Sequence, residues 1–177
     1  MGASTILQRE VRLTQNSYYE ASVTRPPASP ALAGRVRADV CVVGAGLAGL
    51  SAALELRARG FSVAIVEAKT AGWGASGRNG GQAIVGYASD DVIAAQYGPE
   101  EARQAWQVTV DALDLLRQRI ATHNIDCDFV SGYLSLAVNA RKARELIEGA
   151  QDTERRYGYR MQSIGQQEIG DWIASER

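Results

Sequence analysis

Apolar and polar positions follow two different periods along the chain, and the clearest change of period lies between residues 40 and 66. Val40–Val43 is a short β-rich apolar run, which predicts a strand buried on both faces. Residues 47–59 carry apolar side chains at helical spacing, and Gly60 is a natural helix stop. A second β-rich run covers residues 61–66. This order predicts a βαβ unit whose two strands are parallel.

The second half of the chain has mainly helical periods. Residues 90–97 predict a short helix, residues 100–122 a long amphipathic helix, and residues 141–157 a charged surface helix. His123 lies at the expected end of the long helix. The apolar face of that helix comprises Ala102, Ala105, Trp106, Thr109, Ala112, Leu113, Leu116 and Ile120.

Three segments carry weaker patterns. Residues 125–130 and 133–138 are separated by a Ser-Gly dipeptide and predict a hairpin or two sheet strands. Residues 166–174 predict the start of another helix. The basic run formed by Arg155 and Arg156 with Arg160 predicts a solvated helix face.

The start of the chain has the composition of an arm. Residues 25–34 hold three of the four prolines, so they cannot form a regular helix or a central strand. We therefore expect an arm over residues 1–34, a βαβ unit with a glycine-rich loop over residues 35–90, and the beginning of a second domain over residues 91–177.

Charge and cysteine content narrow the classes of function. Nineteen Lys and Arg against twenty Asp and Glu give a net charge of −1, which removes the electrostatic case for a nucleic-acid partner. No apolar stretch approaches the roughly 18 residues of a membrane span, and the chain shows no secretory signal. Cys41 and Cys127 form neither a disulfide framework nor a metal-ligand spacing, and Cys41 is expected to be a small buried hydrophobe. The resulting expectation is a cytoplasmic protein without a metal.

Glycine is concentrated in one region, because ten of the eighteen glycines lie between Gly44 and Gly86. Residues 44–49 read GAGLAG, a GxGxxG motif between a predicted strand and a predicted helix, which is the context that the motif requires. Gly44 permits the tight turn, Gly46 lets a pyrophosphate approach the backbone, and Gly49 lets the helix pack closely on the sheet. The helix N-terminus offers N–H groups and partial positive charge to phosphates, so the motif predicts a dinucleotide site.

Two further features indicate which dinucleotide is bound. Glu67 follows the second strand, where a carboxylate accepts hydrogen bonds from both hydroxyls of an adenosine ribose and repels a 2′-phosphate. A second glycine-rich segment, GWGASGRNGGQ, follows at residues 72–82. Its small residues let the backbone lie against a flat ring or a diphosphate, and Ser76, Arg78 and Asn79 add hydrogen-bond donors. A nicotinamide enzyme does not need this second loop, so FAD is favoured over NAD.

The segments VCVVGAGLAGLSAALELRARGFSVAIVEA and GWGASGRNGGQ resemble the FAD-dependent amine and amino-acid oxidases of the glycine/D-amino-acid oxidase (DAO) family. NSYYEAS, IDCDF and SGYLSLAVN are most similar to its γ-glutamylputrescine oxidoreductase branch. The resemblance implies an α/β fold with an FAD-binding Rossmann-like domain and the start of a mixed α+β substrate domain. No His or Cys lies between Thr70 and Gln82, so non-covalent FAD is expected. The implied FAD-binding residues are Gly44, Ala45, Gly46, Leu47, Ala48, Gly49, Glu67, Ala68, Ser76, Arg78, Asn79 and Gly80.

The same resemblance implies an activity. Family members oxidise a C–N bond of an amine by hydride transfer to flavin N5, so the expected substrate is γ-glutamylputrescine or a related amine, and the sequence singles out no catalytic residue. Because family members are more than twice as long, we expect an inactive chain. It is either an N-terminal fragment whose missing C-terminal half completes the enzyme or a truncated gene product. Two alternatives stay open: a stand-alone nucleotide-binding module without catalysis, and an NAD-dependent or other flavin enzyme that shares only the βαβ unit.

Overall fold

The computed structural model describes residues 17–25, 27 and 29–174, and the chain divides into two compact units between Gln82 and Ala83. Both units contain helices, and the first also contains a small parallel sheet. In chain order the elements are α1 (Tyr18–Ser22), β1 (Val40–Val43), α2 (Leu47–Ala58), β2 (Val63–Val66), a 3₁₀ turn (Ala75–Gly77), α3 (Asp90–Tyr97), α4 (Pro99–His123), α5 (Ala140–Tyr157) and a second 3₁₀ turn (Ile169–Asp171).

The first unit is built on the predicted βαβ segment. β1 and β2 are parallel, with Val40 opposite Val63 and Val43 opposite Val66, and α2 packs against both strands. The helix ends before Gly60, which has φ +90°, a left-handed conformation that glycine adopts without Cβ strain. The prediction of a parallel βαβ unit is confirmed.

Asp39 and Ser62 form a reciprocal clip in front of the two strands. The Asp39 carboxylate accepts hydrogen bonds from the Ser62 N–H at 2.8 Å and from its hydroxyl at 2.5 Å. The Asp39 N–H in turn donates to Ser62 Oγ at 2.9 Å. The two bonds that the carboxylate accepts, that of the Ser62 hydroxyl first and that of the Ser62 N–H second, lower the pKa of Asp39. The clip aligns the starts of β1 and β2, at the end of the sheet away from the glycine turn.

Three details predicted for this sheet are wrong. Val43 is 85% exposed and half-buried Val42 precedes it, so β1 is not buried on both faces. Cys41 is exposed rather than buried. β2 begins at Val63, two residues later than the β-rich run. Exposure alternates along β1, and successive side chains of a strand point to opposite faces, so α2 covers one face of this sheet and leaves the other open.

The second unit is helical, and α4 packs against both α3 and α5. Ala102 and Trp106, from the predicted apolar face of α4, are buried. The Trp106 ring stacks on Tyr157 of α5 with centroids 4.2 Å apart and planes 5° apart, and Tyr159 meets its edge at 5.9 Å. This aromatic cluster joins α4 to α5 and to the segment that follows α5.

The prediction of a solvated helix face on α5 is wrong at Arg156, whose side chain is half-buried and paired. Its Nη1 donates to Asp91 of α3 at 2.7 Å and to Asp152 at 3.4 Å, and its guanidinium lies 4.9 Å from the Tyr157 ring centroid. The hydrogen bond to Asp91 raises the pKa of Arg156 further above its usual range. Arg155, by contrast, pairs with Asp152 on the exposed surface of α5.

Two other predictions for the second unit are wrong. Residues 125–130 and 133–138, all of which the structure describes, form no strand, and Val130 and Val138 are 81% and 88% exposed. Residues 166–174 contain the 3₁₀ turn Ile169–Asp171 instead of an α-helix. A β-rich sequence forms a strand only where another strand satisfies its backbone, and the described residues supply none here.

Candidate cofactor-binding site

The GxGxxG segment forms the turn between β1 and α2. The Gly44 N–H donates to the Val66 carbonyl at 2.8 Å, and its φ of +97° favours glycine. A Cβ on Gly49 would overlap the carbonyl oxygen of Gly44 and lie 3.3 Å from Cγ1 of Val42. Since only a hydrogen fits there, the first turn of α2 packs directly against the end of β1.

The N-terminus of α2 presents backbone donors beside this turn. Gly46 is the N-cap, and the first-turn N–H groups of Ala48 and Gly49 have no acceptor within the helix. They carry the positive end of the helix dipole, which attracts a phosphate. A Cβ on Gly46 would lie 2.9 Å from Ser76 Oγ, so a side chain at this position would have to displace the Ser76 hydroxyl from the start of α2.

The Glu67 carboxylate is held by backbone donors from both sides. Oε2 accepts from the Ala45 N–H and Oε1 from the Lys69 N–H, each at 2.8 Å. These two bonds, that of Ala45 first, lower the pKa of Glu67 and keep it ionised. The side chain remains exposed, and each carboxylate oxygen retains acceptor capacity for a further donor. This is the acceptor that two ribose hydroxyls require.

The second glycine-rich segment contacts the first at two places. The Gly72 N–H donates to the Ala45 carbonyl at 2.9 Å, and Ser76 Oγ accepts the Leu47 N–H at 3.0 Å. The 3₁₀ turn Ala75–Gly77 therefore lies directly at the N-terminus of α2. Sequence reasoning missed the role of Gly72, since nothing in its position within a glycine-rich run distinguishes it from its neighbours.

Polar side chains of the loop shape the loop itself. Asn79 donates through Nδ2 to the Ser76 carbonyl and accepts the Gly81 N–H through Oδ1, each at 2.8 Å. The Arg78 guanidinium lies 5.2 Å from the Trp73 ring centroid and donates to the Trp73 carbonyl at 3.2 Å. Both side chains are exposed, so their remaining N–H groups face solvent rather than a protein core.

The predicted site residues therefore divide into two groups. The first group surrounds the β1–α2 turn and comprises Gly44, Ala45, Gly46, Leu47, Ala48, Gly49, Glu67 and Ser76. The second group, Ala68, Arg78, Asn79 and Gly80, lies on exposed backbone beyond β2 and in the loop. A narrow glycine cradle, unpartnered helix amides and an ionised acid at the strand end fit the diphosphate and ribose of a dinucleotide.

Other kinds of site find less support in the described residues. Among residues 17–25, 27 and 29–174, no three His, Cys, Asp or Glu side chains come together as a metal site. In the same part of the chain, no helix has the length and apolar character needed to cross a membrane.

A parallel βαβ unit with this turn and this acid is typical of dinucleotide-binding α/β proteins. The profile of the DAO family, described as FAD dependent oxidoreductase, matches residues 39–174. The chain therefore belongs to the DAO family of FAD-dependent oxidoreductases, a family of enzymes with a Rossmann-like α/β fold, and the family prediction is confirmed.

Three curated relatives are similar in sequence to this chain. The chain is 41% identical over 144 residues to the probable oxidoreductase OrdL of Haemophilus influenzae, which covers 81% of this chain and 33% of the relative. It is 38% identical over 163 residues to the gamma-glutamylputrescine oxidoreductase of Escherichia coli, and this alignment covers 92% of this chain and 38% of the relative. The probable oxidoreductase OrdL of Rhizobium meliloti is 33% identical over 148 residues, and this alignment covers 81% of this chain and 34% of the relative. The chain spans roughly a third of the length of these relatives, and no solved structure matches it.

Proposed function

We propose that residues 35–90 bind FAD without a covalent link. The observation that carries this proposal is the contact between the two glycine-rich segments, in which Ser76 Oγ accepts the Leu47 N–H at 3.0 Å. A nicotinamide site uses a glycine turn and an acid at the strand end, but it does not require a second loop at the same helix N-terminus. Membership of an FAD-dependent family supports the same choice.

The proposed roles follow the positions of the residues. Glu67 receives the ribose hydroxyls, and Ala68 borders that ribose as the next residue of exposed backbone. Ser76, Arg78, Asn79 and Gly80 lie along the diphosphate and the flavin. The proposed ligands of the diphosphate are Gly44, Ala45, Gly46, Leu47, Ala48 and Gly49.

The proposed reaction is oxidation of an amine. FAD, when held by these residues, would accept a hydride at flavin N5 from the carbon beside the amine nitrogen. The imine left behind would be hydrolysed by water, and the reduced flavin would pass its two electrons to oxygen or another acceptor. The name of the Escherichia coli relative supports γ-glutamylputrescine or a related amine as substrate. The residues of this chain contribute the binding and orientation of the coenzyme.

Catalysis by this protein is proposed to need polypeptide beyond the 177 residues. In this proposal residues 1–34 form an arm, and residues 91–177 form the beginning of the substrate domain. The exposed edge of β1 and the exposed apolar residues of 125–138 support this, because both are surfaces that further protein would cover. The isolated chain is then expected to bind FAD weakly and to turn over no amine.

The location of the protein is proposed to be the cytoplasm, in keeping with its two free thiols. No nucleic-acid partner is proposed, because positive and negative charges nearly balance.

Coenzyme titration tests the proposed cofactor. Purified protein is titrated with FAD and separately with NAD, followed by flavin absorbance and by calorimetry. We expect saturable FAD binding, weakened about tenfold or more by Glu67→Gln, because a hydrogen bond to a charged acceptor is lost. Glu55→Gln is the matched control, since Glu55 pairs with Arg59 on the surface of α2. Heat with NAD and none with FAD would refute the proposal.

Turnover distinguishes the oxidoreductase from a stand-alone binding module. The longer polypeptide, if the reading frame continues beyond Arg177, is assayed with γ-glutamylputrescine for bleaching of the flavin and for release of hydrogen peroxide. Reduction of the flavin by the amine is expected for an oxidoreductase. FAD binding without reduction by any amine tested favours the binding module, and hydrogen peroxide release by the 177-residue chain alone contradicts the inactive fragment.

A further inference from the structure

The short helix α1 lies against the far end of the glycine-rich loop, which comprises residues 70–82. Ser17 caps this helix by accepting the Glu20 N–H at 3.2 Å. The half-buried Tyr19 places its hydroxyl where a Cβ on Gly81 would overlap it, and Gly81 has φ +70°. Gly81 is therefore the position at which the loop passes beneath α1, and glycine suits it both by conformation and by space.

Arg25, which follows α1, joins the arm to the other end of the loop. Its Nε and Nη2 grip the Glu20 carboxylate, with distances of 3.0 Å and 2.8 Å to Oε2. Its Nη1 donates to the Ala71 carbonyl at 3.0 Å. Because a guanidinium is planar, the two-point grip on Glu20 fixes the direction of the third nitrogen. Glu20 thus aims Arg25 at the loop backbone.

The loop is consequently held from two sides. On one side, Gly72 and Ser76 bond to the β1–α2 turn, and on the other, Ala71 and Gly81 meet the arm. A segment this rich in glycine loses much backbone entropy when it is ordered, so external attachments decide how well it stays in one conformation.

We propose that α1 and the Glu20–Arg25 pair form an arm clamp that holds residues 70–82 in the conformation that meets the N-terminus of α2, which makes Arg25 a positioning residue for the coenzyme. The inference rests on the proposed FAD site, and it adds residues outside the family match at 39–174. Arg25 acts through the Ala71 carbonyl, so it affects FAD by ordering the loop.

The test compares Arg25→Gln, Arg25→Lys and Glu20→Gln in the full 177-residue chain. Arg59→Gln is the matched control, because Arg59 also grips a glutamate, Glu55, but within one turn of α2. Hydrogen–deuterium exchange of the amides of residues 70–82 is measured without added coenzyme, and FAD affinity is measured separately. Circular dichroism of each variant verifies that it folds.

Arg25→Gln and Glu20→Gln are expected to speed exchange of residues 70–82 about threefold to tenfold, the range for losing one exposed charge-assisted bond. Arg25→Lys keeps the charge but lacks the planar guanidinium that grips Glu20 at two points. Its exchange rate over residues 70–82 is expected to lie between those of wild type and Arg25→Gln. FAD affinity is expected to decrease in the same order, while Arg59→Gln matches wild type in both measurements.

The exchange measurement decides the clamp independently of the coenzyme. Exchange in Arg25→Gln equal to that in Arg59→Gln overturns the proposal, whether or not the wild-type chain binds FAD. Faster exchange combined with unchanged FAD affinity also overturns it, because the clamp would then order the loop without positioning the coenzyme. Failure of the wild-type chain to bind FAD, with faster exchange in Arg25→Gln, refutes the proposed function and with it the positioning role of Arg25, and it supports only the ordering of residues 70–82 by Arg25.

Discussion

The Oε2 atom of Glu67 accepts the backbone N–H of Ala45 at 2.8 Å, which ties the acid at the end of β2 to the glycine turn at the end of β1. The other oxygen accepts the Lys69 N–H at the same distance, so the carboxylate also fixes the course of the chain after β2. One side chain therefore joins the two strand ends and leaves acceptor capacity exposed beside the helix N-terminus. The same geometry that suits ribose binding also stabilises the site without coenzyme.

We predict an acid-dependent loss of stability that depends on Glu67. Its pKa is lowered in the folded state by the Ala45 and Lys69 N–H groups, so the carboxylate contributes stability at pH values above the ordinary range of Glu. That contribution disappears as the pH falls through the lowered pKa. The free energy of unfolding, measured in urea from about pH 7 to pH 3, is expected to fall less steeply in Glu67→Gln than in wild type. Glu55→Gln should follow wild type, and parallel curves for wild type and Glu67→Gln would contradict the prediction.

We predict that Gly49→Ala destabilises the first unit. The added Cβ overlaps the Gly44 carbonyl oxygen, and backbone must move to relieve it, at a cost of about 2 kcal/mol or more. Gly74→Ala is the control, because Gly74 has φ −76° and open space around its Cβ position. Denaturant unfolding of both variants measures the difference, and equal stability of the two would show that α2 does not need this close approach.

We predict that Gly46 and Ser76 are energetically coupled. Ser76→Ala removes the acceptor of the Leu47 N–H at the start of α2, which is expected to cost about 0.5–2 kcal/mol, as for other capping side chains. Gly46→Ala places a Cβ 2.9 Å from Ser76 Oγ and displaces it. The Gly46 substitution should therefore cost less when Ser76 is already Ala, and a double-mutant cycle without coenzyme measures the coupling. Strictly additive effects would contradict the contact.

We predict that the second unit depends on the stack between Trp106 and Tyr157. Tyr157→Leu removes the ring that lies 4.2 Å from the buried indole and is expected to cost about 1–3 kcal/mol. Tyr157→Phe keeps the ring and should remain within about 0.5 kcal/mol of wild type. Denaturant unfolding followed by near-ultraviolet circular dichroism compares the two variants, and equal losses would assign the effect to the hydroxyl instead of the ring.

The elements predicted best are those whose signal is local. α3 occupies the predicted residues Asp90–Tyr97, and α4 differs from its prediction by one residue at each end, because helical periodicity and end signals act within a few residues. The predicted strands at 125–130 and 133–138 did not form, because a strand depends on a partner strand and its own residues do not specify that partner. Arg156 was misjudged for the same reason, since its partner Asp91 lies on another helix.

By itself the sequence determined the βαβ unit, the glycine turn, the acid at the strand end and the DAO family, since each depends on residue types at short spacing. Only the tertiary structure decided that Ser76 meets Leu47, that Ala45 and Lys69 hold Glu67, and that Arg25 reaches Ala71. Several of these contacts join positions more than twenty residues apart, and no local pattern encodes such a pairing. The contacts of Ser76 and Glu67 form because parallel pairing brings the carboxyl ends of β1 and β2 to the same edge of the sheet, where the segments that follow them meet.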